Sequence, residues 1–153
     1  MEAPRFTCDV MLGSLARWLR FAGFDASYGG GRSDRELAGQ ARAEGRWLLT
    51  RDQELAAAAG PRVLLIRAAD LAGQAAELRH RLGIRGRPEL YFSRCAECNG
   101  ELTELAREEA TCRVPPFVAA HAERFRGCAG CGRVYWPGSH VDRIVARLRE
   151  LFP

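Results

Sequence analysis

The sequence predicts an α/β protein in which a mostly parallel sheet flanked by helices occupies the first half, with a smaller cysteine-bearing unit and a final helix after it. Three observations predict this. Short apolar runs alternate with helical-period stretches as far as Gly83. Two Cys-x-x-Cys pairs then follow, Cys95/Cys98 and Cys128/Cys131. Lastly, Val141, Ile144, Val145, Leu148 and Leu151 share one face of a terminal amphipathic segment.

The elements follow in order. Arg5 to Val10 is the first strand. Leu12 to Ala22 is a helix, because Leu12, Leu15, Ala16, Leu19 and Ala22 recur at helical spacing, and Gly23 stops it. Phe24 to Tyr28 is the second strand, and Gly29–Gly31 is a loop. Asp34 to Glu44 is the second helix, opened by the capping box SDRE with Ser33 as N-cap, and closed by Gly45. Arg46 to Thr50 is the third strand, Asp52 to Ala59 a short helix, Val63 to Ile66 the fourth strand and Asp70 to Leu82 a helix. Strands joined through helices imply right-handed crossovers in a parallel sheet covered on both faces. Periodicity stops at Ile84. Residues 84–90 are read as a linker, residues 91–137 hold the paired cysteines, and His140 to Phe152 is the closing helix.

The chain has 153 residues and 47% hydrophobic content, enough for one domain with an appendage. No apolar run reaches the roughly 18 residues of a membrane span, and the N-terminus lacks a basic-then-apolar leader, so a cytoplasmic protein is expected. All 23 basic residues are Arg. Residues 1–78 balance ten Arg against ten acids, whereas residues 79–153 hold thirteen Arg and nine acids, which is the whole net charge of +4. A polyanion would be gripped in the second half.

Three acids stand out by position. Asp9 ends strand one, Asp34 opens the helix before strand three, and Asp52 follows strand three in LLTRD. In an open parallel sheet the functional crevice lies beyond the carboxyl ends of the strands. Each acid has a local alternative: Asp52 as an N-cap, Asp34 as a partner of the helix dipole, Glu36 within the capping box. Asp9, between Cys8 and Val10, is the hardest to explain as an idle charge. Converging carboxylates repel unless a cation bridges them. Oxygen ligands without His suit Mg²⁺ or Mn²⁺, which support phosphodiester hydrolysis. Asp25 lies at the opposite, amino end of strand two and is left out.

The paired cysteines, 29 residues apart, fit two knuckles in CAECNG and CAGCG, with a Gly after each pair allowing the backbone to turn. Four thiolates around one Zn²⁺ make a closed structural site; redox pairs or disulfides are the alternatives. Cys8 and Cys112 have no partner at ligand spacing and are expected to be buried.

The stretch DRELAGQARAEGRWLLTRD resembles the acidic half of the PIN nuclease fold. The longer set CDVMLGSLARWLRFAGFDASY, SDRELAGQARAEGRWLLTRDQEL, RCAECNGEL and CGRVYWPGSH resembles the Mut7-C RNase family, a PIN-like domain joined to a zinc ribbon. The resemblance spans nearly the whole chain. It implies a PIN-like nuclease domain over residues 1–83, a linker over 84–90, and a zinc ribbon with C-terminal helix over 91–153. It also implies metal-dependent ribonuclease chemistry with Asp9, Asp34 and Asp52 as catalytic Mg/Mn ligands. PIN nucleases usually carry four acids; here there are three, with Glu36 a candidate helper. Arg17, Arg20 and Arg51 are the expected phosphate contacts. Arg94, Arg113, Arg124, Arg126 and Arg133, with Tyr135, Trp136 and His140, suit single-stranded or structured RNA on the ribbon. The rival expectation is a non-catalytic RNA-binding or adaptor module on the same fold.

Overall fold

The apolar runs form four short strands. β1 (Phe6–Cys8), β2 (Ala26–Tyr28), β3 (Trp47–Thr50) and β4 (Val63–Leu65) make one sheet in the order β2-β1-β3-β4, parallel throughout. This is a computed structural model, and it describes residues 2–153. Four helices connect and follow the strands: α1 (Gly13–Phe21), α2 (Asp34–Ala43), α3 (Gln53–Ala58) and α4 (Leu71–Leu82). Side chains alternate across a strand, and β3 shows why both faces are covered. Leu49 joins a core with Leu15, Leu19 and Leu78, while Leu48 joins Leu37, Ala41 and Leu55 on the other face.

Strand β1 is shorter than its apolar run. The carboxylate of Asp9 accepts the Met11 amide and bends the chain into a 3-10 turn at Val10–Leu12, so the strand ends at Cys8. Gly23 ends α1 as expected. Its φ of 91° suits glycine, and a Cβ there would meet the backbone of Leu90.

The cysteine-bearing half contains a second, antiparallel sheet: β5 (Leu102–Glu104), β6 (Arg126–Cys128) and β7 (Val134–Tyr135). Between β5 and β6 lie two short helices that the sequence reading did not separate, α5 (Arg107–Thr111) and α6 (Pro116–His121). Pro116 at the first position of α6 is a signal for that start. The final helix, α7, runs Ser139–Leu151.

Helix α7 packs into the core of the first half. Leu148, Leu151 and Phe152 are buried in the cluster that holds Phe6 and Leu19, with Phe152 edge-on to Phe24 at 6.1 Å. Each such side chain contributes roughly 1.5–3 kcal/mol of burial. The stretch after α4 is tied to the same place: Ile84 is buried and the Gly86 amide donates to the Phe152 carbonyl at 2.8 Å. It is a packed connection with a 3-10 turn at Pro88–Leu90, and Tyr91 beyond it is buried. Among the described residues no helix is long and apolar enough to cross a membrane.

Candidate functional site

Strands β1 and β3 are parallel neighbours with Cys8 opposite Leu49, so Asp9 and Thr50 lie side by side at the carboxyl edge of the sheet. Asp9 is 4% exposed. One carboxylate oxygen accepts the Met11 amide at 3.0 Å; the other accepts the Thr50 hydroxyl and the Arg51 amide, the latter at 3.3 Å. A carboxylate has about four acceptor positions, so one remains open. The same Thr50 oxygen accepts the Asp52 amide at 2.9 Å, joining the two acids through one side chain. Asp52 is exposed and caps α3, with one oxygen taking the Leu55 amide at 3.0 Å.

Asp34 is exposed in the first turn of α2, the helix leading from β2 to β3. The three acids do not close up on one another. Among the described residues, the four paired cysteines are the one set of three or more His, Cys, Asp or Glu whose ligand atoms all lie within 4.8 Å. Glu36 is engaged in the expected capping box: its carboxylate accepts the Ser33 amide at 2.8 Å, and the Ser33 hydroxyl accepts the Glu36 amide at 3.3 Å.

The arginines divide. Arg51 follows Thr50 directly, and its Nε is the buried side-chain polar atom left without a partner among the described residues. An unpartnered cationic donor is a place where an anion would gain a strong hydrogen bond. Arg17 points elsewhere: it pairs at 2.5 Å with Glu97, inside the Cys95–Cys98 knuckle, and lies over Phe21. Arg20 departs furthest from expectation. It is 6% exposed, with Nε donating to the Ala26 carbonyl at 2.7 Å and Nη1 to the carbonyls of Ala96 and Glu97 at 3.0 and 3.1 Å. Its guanidinium is committed to joining α1, β2 and the knuckle, so Arg20 leaves the substrate-contact set.

Sequence reasoning missed a second tie at this seam. Asn99 accepts the Ala26 amide at 2.9 Å and donates to Asp25 at 2.7 Å. Asp25 is also held by Arg46 at 2.5 Å. Burial pushes the Asp25 carboxyl up, but the hydrogen bonds from Arg46 and Asn99 outweigh it and hold it below the usual carboxylate range. Asn99, at φ 70°, takes the left-handed position of the first knuckle, one residue before Gly100. Asn adopts that conformation more readily than most residues. Gly100 is needed for another reason: a Cβ there would stand 2.9 Å from the Cys128 sulfur.

In the cysteine cluster the Cys95 and Cys131 sulfurs are 3.6 Å apart and those of Cys98 and Cys128 3.3 Å. Zn–S bonds of ~2.3 Å in a tetrahedron place sulfurs roughly 3.8 Å apart, so the set fits one ion with little adjustment. Backbone amides of Glu97 and Cys98 face the Cys95 sulfur, and the Tyr135 hydroxyl lies 3.0 Å from it. Burial acts to raise the Cys95 pKa, but these hydrogen bonds bring the thiol down to about 7. Cys8 is fully buried as expected and is pushed up to about 12 by that burial. Cys112 is exposed at the end of α5, not buried.

On the ribbon, Arg126 donates to the Phe92 carbonyl, Arg124 pairs with Glu104 at 2.7 Å, and Arg113 bonds the Gly132 carbonyl. Arg133 is exposed. A concavity of about 300 Å³ lined by Ala38, Arg42, Pro61 and Val63 includes residues at the starts of β3 and β4, the end of the sheet away from the acids, and no acid lines it.

Residues 4–148 match the Mut7-C RNAse domain. A human protein described as an exonuclease mut-7 homolog is 28% identical over 229 residues, covering 98% of this chain and 26% of its own length. The chain thus spans about a quarter of that relative. No solved structure matches.

Proposed function

The chain belongs to the Mut7-C RNAse domain family, and from that premise we propose that it is a metal-dependent ribonuclease acting at the carboxyl edge of its parallel sheet. The observation that carries the reading is the buried Asp9 carboxylate at the end of a central strand, joined through Thr50 to Asp52. A strand-end carboxylate with one open acceptor position, next to a second with a free oxygen, is a hard-oxygen donor set that fits Mg²⁺ or Mn²⁺ in kind.

Asp9, Asp52 and Asp34 would hold the ion, and water and substrate phosphate would complete its coordination. The bound ion would supply a water of lowered pKa and neutralise charge at the phosphodiester. The Thr50 hydroxyl and the Met11 and Arg51 amides hold the Asp9 carboxylate fixed in orientation. Arg51, whose Nε is buried and unpartnered, would contact the phosphate once its side chain turns outward. Cys95, Cys98, Cys128 and Cys131 would hold one Zn²⁺ in a structural role.

The test is cleavage of labelled single-stranded RNA by purified protein in Mg²⁺ or Mn²⁺. Cleavage should stop with EDTA and with Asp9→Asn. A second reading, a non-catalytic RNA-binding module on the same fold, is favoured by the spread of the three acids and by the structural hydrogen bonds on Asp9. RNA binding without cleavage by the unaltered chain would select it.

A further inference from the structure

Four large apolar side chains are prominently exposed among the described residues: Val10, Met11, Tyr28 and Phe117. Phe117 has its own explanation, being stacked on His121 at 4.2 Å within α6. The other three form one lip. Val10 (62% exposed) and Met11 (58%) are the two residues after Asp9, and Tyr28 (39%) ends β2 in register with Cys8, one residue before Asp9 on the adjacent strand. Single exposed apolar residues need no explanation, but three together at the carboxyl edge of a parallel sheet do.

The Tyr28 ring is held in place and left partly exposed. Its hydroxyl donates to the Val10 carbonyl at 2.8 Å, which ties β2 to the turn after β1. Gly13 and Gly30 flank the ring; a Cβ on either would come to 3.3 and 3.4 Å of ring carbons. The chain thus presents a fixed aromatic surface with glycine on two sides, next to the acid that the ribonuclease reading places at the reaction.

We infer that Tyr28, with Val10 and Met11, is a stacking subsite for one nucleobase of the RNA strand beside Asp9; this rests on the ribonuclease reading above. One base is the occupant that fits. Three side chains fall far short of the ~800 Å² per partner of a stable protein interface, and the patch adjoins Asp9, whose carboxylate accepts the Met11 and Arg51 backbone amides. Stacking on an aromatic face accepts any base, so the subsite fixes register rather than sequence.

The experiment measures fluorescence anisotropy of a labelled oligouridylate, and of the same strand with abasic sugars, in an Asp9→Asn background that blocks hydrolysis. Tyr28→Ala should weaken binding of the base-bearing strand roughly tenfold or more, the effect of one stacked base, and leave the abasic strand unchanged. Tyr28→Phe should stay close to the parent. Met11→Gln, at an exposed position, should give a smaller loss of the same base-dependent kind, and circular dichroism checks that each variant folds. Equal losses on both strands, or no loss on either, overturn the subsite while leaving the ribonuclease reading standing. An effect of Tyr28→Ala on sedimentation without one on RNA binding makes the lip a contact between copies of the chain and also overturns it. If cleavage and RNA binding are both absent from the unaltered chain, the ribonuclease reading falls and the subsite with it.

Discussion

Replacing Arg20 by Ala should destabilise the protein far more than it affects any substrate. The side chain is buried and donates three hydrogen bonds to the carbonyls of Ala26, Ala96 and Glu97. Hydrogen bonds to a charged group contribute about 1.5–3 kcal/mol each. The two at Nη1 share one nitrogen, and the Glu97 carbonyl is only partly buried, so the sum is discounted to about 3–4 kcal/mol. That is a large share of the 5–15 kcal/mol typical of whole domains. At this chain length it corresponds to roughly a 10 °C fall in Tm. Arg20→Lys should recover only a minor part, because one ammonium cannot span both sides of the seam. The assay is urea unfolding of zinc-loaded protein followed by tryptophan fluorescence, with RNA affinity measured across a salt series on the same samples. A loss below about 1 kcal/mol, together with a shallower salt slope of RNA binding, would refute the structural assignment and return Arg20 to the phosphate contacts.

Arg51→Ala should weaken RNA binding and reduce the salt slope by about one counterion with little change in Tm; an unaltered slope removes Arg51 from the site. Zinc-loaded protein should carry about one Zn per chain and show one fast-reacting thiol, Cys112, with Cys8 silent because burial holds its pKa near 12. Rapid labelling of Cys8 would show that β1 opens readily. Asp25 has a folded pKa below its unfolded value of about 3.9, so its contribution is present above that pH and is lost as pH falls through the folded value. Urea midpoints should therefore drop on acidification below about pH 4, and Asp25→Asn should flatten that drop; an unchanged pH profile in the variant would disprove it.

Much of this was legible because the signals are local. Apolar runs of three or four residues, glycine stops, the Ser33–Glu36 box and the two knuckles each announce themselves within a few positions. Arg20 is legible too, once its place on the helix is weighed above its charge. It lies four residues after Ala16, on the stripe that buries Leu12, Ala16 and Leu19, whereas Arg17 is off that stripe and stays exposed. Helical spacing therefore separated the two arginines, but the charge suggested that both met a phosphate. Asp25 and Asn99 are 74 residues apart in sequence, and no local pattern specifies such a pairing. The spread of the acids was hidden for a related reason. Position at a strand end fixes an edge of the sheet, but the distance across it depends on how α2 and α3 start.

The burial of Leu148, Leu151 and Phe152 among residues near position 20 has a consequence for synthesis on the ribosome. Translation is vectorial, so the parallel sheet emerges first, yet its core stays open until the final helix arrives. The knuckles are made in between, and Ala96, Glu97 and Asn99 become available to Arg20 and Asp25 only then. A nascent chain halted before residue 139 would present its acidic edge on an incomplete, loosely held sheet. The edge proposed to act on RNA would then be fully supported only once residues 139–152 have emerged, which separates the making of the acids from the completion of the surface that carries them.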